Sequence, residues 1–435
     1  MPLRGTLRVP SDKSISHRAV LFSALAQGIS HLTNLLPSDD VLSSLAAVQE
    51  LGAHVEQHAG KNGIDAVVTG FGTNPIRDKA ITLDCGNSGT TTRLLMGLVC
   101  GLGVDATLVG DASLSSRPMA RVIDPLASMG ANIQSANGKL PAHVMPAGGG
   151  LTAIQYDSPK ASAQVKGAIL LAGLCSKGVT SVTEPAKSRD HTERLLPAFG
   201  VPVDVDGLTV SIEGPAALSP HDMSAPGDPS SAAFIAVEAA VMEGSKVTIT
   251  GVSLNPTRIG AFSVLKRMGA KLSYLNEHTE GAEPVGDVKV EYTDNLHGVE
   301  VSAEEIPTLI DEIPVLAIAA AAAEDVTVFR GAGELRVKES DRFAAVVDGL
   351  AAFGVRAWGD GDDLHVEGTG APLYMLADAM EDADCIELPT YHDHRLAMTW
   401  YLMGLATEAC VRLDDATCVS VSWPSFYEDI DSLLE

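Results

Sequence analysis

The sequence predicts an α/β protein of two domains, each built from three repeated α/β units. Three observations support this fold class: the chain length, a recurring helix–glycine–strand pattern, and a polar break near the middle of the chain. The chain has 435 residues, whereas a single hydrophobic core stops growing at roughly 250–300 residues. Two domains of about 200 residues each are therefore expected.

The recurring pattern is a helical segment that ends in a large apolar residue and a glycine and continues as a short strand. Its five copies are separated by 78, 70, 69 and 85 residues and place their glycines at Gly52, Gly130, Gly200, Gly269 and Gly354. Glycine just past a last helical turn adopts the left-handed conformation that caps the helix. One copy is ordinary in an α/β protein, but five at this spacing predict a repeated unit. A sixth unit would end at the C terminus, where residues 424–435 favour a final helix.

The polar break lies at residues 218–230 (LSPHDMSAPGDPS), which are rich in Pro, Ser, Gly and Asp and lack hydrophobic periodicity. An apolar helix is predicted directly after it, with Ser and Asp as candidates for its N-cap. We therefore expect a domain boundary near residues 225–230, with three units on each side.

The composition excludes several classes of partner. With 46% hydrophobic and 20% charged residues, it is typical of a soluble globular protein. The chain has 30 basic and 56 acidic residues, a net charge of −26, which disfavours nucleic acids and anionic membranes as partners. The longest apolar runs, 94–104 and 313–323, have 11 residues each, fewer than the roughly 20 that span a bilayer. No signal peptide is visible at the N terminus.

The cysteines and histidines predict no metal site. The six cysteines form no CxxC pair, and no Cys/His cluster has the spacing of a zinc site. A reduced, cytoplasmic protein is the simplest interpretation. His392, Asp393 and His394 place two imidazoles beside a carboxylate, but no third ligand follows at a recognisable spacing. We expect neither a metal nor a cofactor.

The first segment with candidate functional residues is 11–18 (SDKSISHR). Ser11 and Asp12 are N-cap candidates, after which Lys13 and Arg18 crowd the first two turns of an apolar helix. Cations are unfavourable at a helix N terminus unless an anion lies nearby. The segment therefore predicts an anionic ligand, with a solvated surface lysine as the alternative.

Two further segments connect strands or loops to helices. Residues 83–97 (LDCGNSGTTTRLLMG) pass through a turn of small residues, whose backbone N–H groups can approach a phosphate. In residues 110–126, Arg117 and Arg121 flank Pro118 and Met119, and Arg117 is expected in a loop before a helix. The alternatives are a tight turn without a ligand and an ordinary charged loop.

The later segments carry charges in otherwise apolar surroundings. Asp311 and Glu312 lie between apolar runs, and residues 333–342 (GELRVKESDR) contain six charges. Helix caps and solvated faces are the alternatives for these charges. Although acids outnumber bases, bases recur at predicted helix starts: Lys13, Arg18, Lys166, Arg189, Lys338, Arg342 and Arg395. Together they predict a small ligand with several phosphate or carboxylate groups.

Eight motifs in order resemble the signatures of the 5-enolpyruvylshikimate-3-phosphate synthases: SDKSISHR, GNSGTTTR, RPMAR, SAQVK, RDHTE, NPTR, LRVKESDR and HDHR. RPMAR, SAQVK, RDHTE and NPTR resemble the class II branch. The resemblance implies the enolpyruvyl transferase fold, a two-domain inside-out α/β barrel with three βαβαββ units per domain, helices inside and sheets outside. It places the N-terminal domain at 12–226 and the C-terminal domain at 227–435, which residues 1–11 join.

The resemblance also implies an activity. Members of this family transfer the enolpyruvyl group of phosphoenolpyruvate to the 5-hydroxyl of shikimate 3-phosphate and release phosphate, through a tetrahedral ketal intermediate. The reaction belongs to aromatic amino-acid biosynthesis by the shikimate pathway. The expected protein is a cytoplasmic monomer without cofactor or metal, whose domains close on two small-molecule substrates by induced fit.

The resemblance assigns roles residue by residue. Asp311 would be the base for the 5-hydroxyl, Glu339 would protonate the methylene carbon, and Lys13 and His394 would complete the catalytic set. The shikimate 3-phosphate site would contain Lys13, Ser14, Arg18, Ser162, Ala163, Gln164, Arg189, Asp311, Glu334 and Lys338. The phosphoenolpyruvate site would contain Lys13, Asn87, Gly89, Arg117, Gln164, Arg342 and Arg395.

Departures and alternatives remain. Val421 stands where some members have Lys, which leaves the contact to the departing phosphate open. Gly89 leaves room for the inhibitor glyphosate, while Leu94 replaces a Pro that is frequent in the other branch. The two residues therefore give opposite indications about sensitivity to glyphosate.

Two alternative functions are UDP-N-acetylglucosamine enolpyruvyl transferase, which usually has a Cys in the loop matching residues 110–121, and a non-catalytic anion-binding paralogue. No Cys occurs in that loop, and the intact catalytic set argues against the paralogue.

Overall fold

The computed structural model describes residues 1–380 and 385–435. The first half of the chain contains β1 (Arg4–Leu7), α1 (Lys13–Leu25), β2 (Ile29–Leu35), α2 (Asp39–Glu50), β3 (His54–Ala59), β4 (Ile64–Thr69), β5 (Ile81–Asp84), α3 (Gly89–Leu102), β6 (Ala106–Val109), α4 (Ala112–Ser116), α5 (Ala120–Ser128), β7 (Asn132–Ala136), β8 (Lys139–Met145), β9 (Gln155–Asp157), α6 (Ala163–Gly173), β10 (Gly178–Thr183), α7 (His191–Ala198), β11 (Asp204–Asp206), β12 (Thr209–Gly214) and β13 (Met223–Ser224).

The second half contains α8 (Pro229–Val241), β14 (Lys246–Ser253), α9 (Gly260–Arg267), β15 (Lys271–Glu280), β16 (Glu283–Glu291), β17 (Glu300–Val301), α10 (Ile313–Ala322), β18 (Val326–Phe329), α11 (Arg342–Ala352), β19 (Ala357–Asp360), β20 (Asp363–Glu367), β21 (Ile386–Leu388), α12 (His394–Thr407), β22 (Val411–Leu413) and α13 (Phe426–Asp431). Short 3₁₀ segments lie at Ile306–Thr308, Ile310–Glu312, Ala332–Val337, Leu373–Met380 and Thr417–Val421.

The chain divides into two compact units. The N-terminal unit comprises residues 11–225 together with 280–283, and the C-terminal unit comprises residues 1–10, 226–279 and 284–435. The short stretch 280–283 lies at the turn between β15 and β16, and no pattern in the sequence predicts that it groups with the N-terminal unit. The two units are described separately below.

The N-terminal unit contains three four-stranded sheets of one topology. Their strand orders are β13-β2-β4-β3, β5-β6-β8-β7 and β9-β10-β12-β11. In each sheet the first two strands are parallel and the remaining neighbours are antiparallel. This threefold recurrence is the structural form of the repeat that the sequence predicts.

The core of this unit is helical. Every residue of α1 from Ile15 to Leu25 is buried, and α3 is buried along nearly its whole length. Helix α3 packs against α6 so closely that a Cβ on Gly97 would overlap the Ala168 carbonyl. The strands, in contrast, alternate buried and exposed residues, as in β5. The most buried helices, α1, α3 and α6, therefore form the interior, while the sheets present one face to solvent.

The C-terminal unit repeats this plan with one difference. Its four-stranded sheets have the orders β1-β14-β16-β15 and β17-β18-β20-β19, while the third sheet contains only β21 and β22 among the described residues. Helices α8, α10 and α12 form the buried interior. Among the described residues, the sixth repeat consists of β21, α12, β22 and α13, without the final hairpin of a full βαβαββ unit.

The five repeat glycines behave as predicted. Their φ angles are 110° at Gly52, 94° at Gly130, 86° at Gly200, 98° at Gly269 and 75° at Gly354. Each follows a helix C-cap residue and precedes the next extended segment. Side chains other than hydrogen are strained at these angles, which explains why glycine marks every repeat.

The cysteines differ from the sequence-based expectation. Cys385 and Cys410 form a disulfide, so the prediction that all six cysteines are reduced is wrong for this pair. The two residues are 25 positions apart and come together because β21 pairs with β22 in parallel. Spacing rules that look for CxxC pairs cannot detect such a contact. The four free cysteines are Cys85, Cys100, Cys175 and Cys418.

Membrane crossing has no support among the helices of residues 1–380 and 385–435, none of which is both long and apolar enough to span a bilayer.

Glu238 is an acidic residue inside the α8 core. Its side chain is fully buried, and neither carboxyl oxygen has a hydrogen-bond partner among the described residues. Burial raises the pKa of Glu238 well above its ordinary value. An unsatisfied buried polar group costs about 1–3 kcal/mol. We therefore expect Glu238→Met to raise the free energy of unfolding at pH 7 by about that amount.

The advantage of Glu238→Met should grow with pH. When a carboxyl group has a higher pKa in the folded than in the unfolded protein, its contribution to the free energy of unfolding is fully present below the unfolded-state pKa. That contribution is lost as pH rises through the folded-state pKa. Urea unfolding at pH 5, 7 and 8.5 measures the difference, with Glu243→Gln as the exposed control. A difference from wild type that stays constant across these pH values would contradict a buried neutral carboxyl.

Candidate active site

The start of α1 presents Lys13, Ser14 and Arg18 from the N-terminal unit. Asp12 caps the helix by accepting a hydrogen bond from the Ile15 amide at 2.8 Å. Arg18 is only 2% exposed; its Nε donates to Thr192 Oγ1 at 2.9 Å and its Nη1 to the Ser14 carbonyl at 3.1 Å. Burial lowers the pKa of Arg18 to about 10, so the group stays cationic at neutral pH.

Lys13 has a carboxylate partner that sequence reasoning missed. Its Nζ forms an ion pair with Asp40 in the first turn of α2. Asp40 is nearly buried, whereas the Lys13 side chain is 26% exposed. The pair fixes the ammonium group beside the start of α1, while part of the Lys13 side chain stays accessible to a ligand.

The start of α3 brings Asn87, Gly89 and Arg117 together. Asn87 Oδ1 accepts from Arg117 Nη2 at 2.7 Å, and Asn87 Nδ2 donates to Asp111 Oδ2 at 2.6 Å. Gly89 is the first residue of the helix, and a Cβ there would lie 3.0 Å from Arg93 Nη1 and 3.6 Å from Arg117 Nη1. Two guanidinium groups therefore converge on the helix N terminus, which itself favours anions.

Gln164 connects the start of α6 to this group. Its Oε1 accepts from Arg93 Nη1 at 2.5 Å and its Nε2 donates to Thr90 Oγ1 at 2.9 Å. Arg93 is a second residue that sequence reasoning left without a role, although it lies inside a motif. Ser162 caps α6, and Ala163 begins it. The Ser162 amide donates to Glu184 Oε1 at 2.7 Å.

Lys166 contradicts its predicted role. The sequence places it among the bases that would attract an anion, but its side chain is 2% exposed. Its Nζ lies 2.7 Å from Glu184 Oε2 and 2.6 Å from Glu193 Oε1. Two buried carboxylates already balance this cation, so Lys166 is structural. Ser188 also donates to Glu184, at 2.8 Å, directly before Arg189.

The C-terminal unit gathers a second cluster around Arg342, the first residue of α11. Asp311 Oδ1 lies 3.1 Å from Lys338 Nζ and 3.2 Å from Arg342 Nη1. Arg342 Nη2 lies 2.7 Å from Glu339 Oε2, and its Nε lies 2.7 Å from Asp393 Oδ2. One guanidinium, 1% exposed, thus contacts three carboxylates.

The charges of this cluster shift its ionisation. Partial desolvation of the Glu339 side chain would raise its pKa, but the Arg342 guanidinium outweighs this effect and holds that pKa well below its usual range. The same balance lowers the pKa of Asp393. Burial lowers the pKa of Arg342, but the carboxylates of Asp393 and Glu339 outweigh burial and raise that pKa above its ordinary value. Glu339 and Asp393 are therefore carboxylates at neutral pH.

Four further residues singled out in the sequence belong to the C-terminal unit. His394 is 6% exposed and begins α12. Arg395 Nη1 donates to Ser230 Oγ at 2.6 Å and to the Asp311 carbonyl at 3.1 Å. Glu334 lies in the 3₁₀ segment Ala332–Val337. Val421 ends another 3₁₀ segment, so an apolar side chain stands where some relatives have Lys.

No group of histidine, cysteine and acidic side chains among the described residues is arranged to hold a metal ion. The arrangement can instead bind anions through its cations and can move protons through Asp311 and Glu339. These are carboxylates in different surroundings, since Asp311 is 14% exposed and Glu339 is 36% exposed.

Comparison with known proteins relates this arrangement to a family. The family model for EPSP synthase (3-phosphoshikimate 1-carboxyvinyltransferase) matches residues 1–430. A 3-phosphoshikimate 1-carboxyvinyltransferase of Geobacillus thermodenitrificans is 45% identical over 432 residues, 99% of this chain and 97% of the relative. The corresponding protein of Methylobacterium radiotolerans is 46% identical over 441 residues, 99% of this chain and 95% of the relative.

Solved structures agree with the sequence relatives. The EPSP synthase from Acinetobacter baumannii aligns with a TM-score of 0.86 at 42% identity, over 99% of this chain and 96% of that one. The enolpyruvyl transferase NikO from Streptomyces tendae has a TM-score of 0.76 at 21% identity, over 99% and 95% of the two chains, which shows the fold alone. This chain therefore has the enolpyruvyl transferase fold and belongs to the EPSP synthase family.

Proposed function

We propose that the protein transfers the enolpyruvyl group of phosphoenolpyruvate to the 5-hydroxyl of shikimate 3-phosphate and releases inorganic phosphate. The observation that carries this proposal is the contact of Arg342 with both Asp311 and Glu339. The reaction needs one group to accept a proton and another to deliver one, and here two carboxylates share one cation. The substrates on which these groups would act are inferred from membership of the EPSP synthase family.

The chemistry proceeds by addition and elimination. The 5-hydroxyl oxygen attacks C2 of phosphoenolpyruvate while C3 takes up a proton, which gives a tetrahedral ketal that still carries the phosphate. Loss of phosphate from C2 and of a proton from C3 then regenerates the double bond in the product. We assign the base for the hydroxyl to Asp311, whose Oδ1 is held in place by Lys338 Nζ at 3.1 Å and Arg342 Nη1 at 3.2 Å.

Glu339 is the acid, which requires its proton to be supplied on substrate binding. Arg342 holds Glu339 as a carboxylate. The carboxylate or phosphate of phosphoenolpyruvate competes for the same guanidinium, because arginine's fork binds either group. Weakening of the Arg342–Glu339 contact then raises the pKa of Glu339 towards the range in which it can carry and deliver a proton.

The other predicted residues bind the substrates. The cations Lys13, Arg18 and Arg189, with Ser14, Ser162, Ala163, Gln164, Asp311, Glu334 and Lys338, form the proposed site for shikimate 3-phosphate. The proposed phosphoenolpyruvate site consists of Lys13, Asn87, Gly89, Arg117, Gln164, Arg342 and Arg395, and His394 completes the catalytic set. We also propose, from the family resemblance alone, a cytoplasmic monomer with domains at 12–226 and 227–435 that close on the substrates by induced fit.

Phosphate release tests the proposed function. Purified protein is given phosphoenolpyruvate with either shikimate 3-phosphate or UDP-N-acetylglucosamine, and inorganic phosphate is followed continuously. We expect release with shikimate 3-phosphate only. Release with the nucleotide sugar would indicate the sister activity, and no release with either acceptor would indicate a non-catalytic anion-binding protein.

Gly89 allows a sharp test of the proposed phosphoenolpyruvate site. Its backbone can accept alanine, but the added methyl would lie 3.0 Å from Arg93 Nη1 and must displace it. We expect Gly89→Ala to raise the KM for phosphoenolpyruvate by about tenfold, the equivalent of ~1.4 kcal/mol in binding. Initial rates with each substrate varied measure the effect.

The matched control is Gly149→Ala, where an added Cβ meets nothing within 4 Å. It should leave both KM values unchanged. An unchanged KM for phosphoenolpyruvate in Gly89→Ala would remove the start of α3 from the proposed site.

A further inference from the structure

Asp393 is a buried carboxylate that contacts the segment containing Ser340 and Arg342 and the start of its own helix, α12. It is 0% exposed. Its oxygens accept from Arg342 Nε at 2.7 Å and Nη2 at 3.1 Å, and from Ser340 Oγ at 2.9 Å. It also caps α12 by accepting from the Arg395 amide at 3.0 Å. Family resemblance assigned roles to Arg342 and Arg395 but none to Asp393.

The geometry distinguishes Asp393 from the other two carboxylates at Arg342. Asp393 engages Nε and Nη2 together, a two-point contact that fixes the plane of a guanidinium. Asp311 Oδ1 lies 3.2 Å from Nη1, and Glu339 Oε2 lies 2.7 Å from Nη2. Glu339 is 36% exposed and can exchange with a ligand, whereas Asp393 is enclosed. Asp393 is therefore the fixed partner of Arg342.

The backbone before Asp393 is strained in a way that places this side chain. Tyr391 and His392 have φ angles of 53° and 56°, two consecutive non-glycine residues in the left-handed region. Such a conformation is unfavourable for a residue with a side chain and persists only where its surroundings hold it. Asp414 holds Thr390 through bonds of 2.7 Å to its amide and 2.6 Å to its hydroxyl. His392 Nδ1 lies 2.8 Å from Asp415 Oδ2.

We propose that Asp393 is a positioning residue that sets the orientation of Arg342 and the start of the helix carrying His394 and Arg395. Its effect is to arrange the two arginines for the anionic groups of phosphoenolpyruvate before that substrate binds. The inference rests on the proposed function, because it assumes that Arg342 and Arg395 bind phosphoenolpyruvate.

A simple helix-capping role is the competing explanation, and the chain offers a matched control. Asp341 caps α11 by accepting from the Ala344 amide at 3.0 Å, and it immediately precedes Arg342. It is exposed and lies outside the proposed catalytic and binding residues. Asn caps helices about as well as Asp, so Asp393→Asn keeps the cap but removes the charge that pairs with Arg342.

The experiment compares steady-state kinetics of wild type, Asp393→Asn and Asp341→Asn, with each substrate varied in turn. We expect Asp393→Asn to raise the KM for phosphoenolpyruvate by at least about tenfold, with the KM for shikimate 3-phosphate within about twofold of wild type. Asp341→Asn should match wild type in both. Asp393→Asn with an unchanged KM for phosphoenolpyruvate, or with both KM values raised equally, would overturn the proposal.

A double-mutant cycle separates positioning from general structural damage. In an Arg342→Ala background, Asp393→Asn should add less than about twofold to the KM for phosphoenolpyruvate, because the group it orients is gone. A full multiplicative effect in that background would contradict the proposal. If Asp393→Asn does not fold, Asp414→Asn decides: it loosens Thr390 and should raise the same KM selectively, and a wild-type value there would overturn the inference. Absence of turnover in wild type would instead refute the proposed function.

Discussion

Glu339→Gln is expected to bind both substrates but to lose at least about 100-fold in turnover, because general acid catalysis contributes about 10²–10⁴-fold. Glutamine keeps the size of the side chain and can still accept from Arg342 Nη2, which lies 2.7 Å from Glu339 Oε2. It cannot deliver a proton to the methylene carbon. The loss should therefore appear in kcat, with little change in substrate affinity measured by calorimetry.

Calorimetry also tests how Glu339 acquires its proton. Binding of phosphoenolpyruvate to wild type, measured in two buffers of different ionisation enthalpy, should show proton uptake as the Arg342–Glu339 contact weakens. Glu339→Gln should lack this uptake, while Asp341→Asn should retain it. Turnover of Glu339→Gln within threefold of wild type would exclude Glu339 as the acid.

Lys166→Met is expected to destabilise the protein by about 3–5 kcal/mol, because removing one partner of a buried ion pair leaves the other uncompensated. Here the loss would strand two carboxylates, Glu184 and Glu193, which are 3% and 8% exposed. Methionine has a similar length, so the change tests charge more than volume. Chemical denaturation followed by circular dichroism measures the difference.

Lys187→Met is the matched control for this prediction. Lys187 Nζ lies 3.8 Å from Asp190 Oδ2, and its side chain is 56% exposed. Exposed pairs of this kind contribute about 0–1 kcal/mol, so this variant should remain close to wild type. If Lys166→Met were as stable as Lys187→Met, the buried contacts of Lys166 with Glu184 and Glu193 would not hold α6 and α7 in place.

The features of the fold that sequence predicts are those set by local chemistry. The repeat glycines Gly52 and Gly354 can be recognised because a positive φ at a helix end restricts the residue type. The disulfide between Cys385 and Cys410 cannot, since it depends on the pairing of β21 with β22. The two-stranded sheet of the sixth repeat escapes prediction for a similar reason, because a helix–strand pattern does not count the strands of a sheet.

The candidate site divides in the same way. Anion binding at helix starts follows from the local conflict between cations and the helix dipole, as at Lys13. The carboxylate partners of those cations cannot be predicted from local sequence, because Asp40 lies 27 residues from Lys13 in the chain and Asp393 lies 51 residues from Arg342. Lys166 illustrates this limit: its position at a helix start predicts an anion-binding residue, whereas the structure shows a buried ion pair with Glu184 and Glu193.

The most direct test of the proposed site is a crystal structure of the protein with phosphoenolpyruvate, or a non-reactive analogue of it, and shikimate 3-phosphate. We expect the anionic groups of the enol compound within hydrogen-bond distance of Arg342 and Arg395, with Asp393 still bound to Arg342 Nε. We expect the phosphate of shikimate 3-phosphate to contact Ser162 and Arg189. Density for either molecule away from these residues would contradict the proposed site.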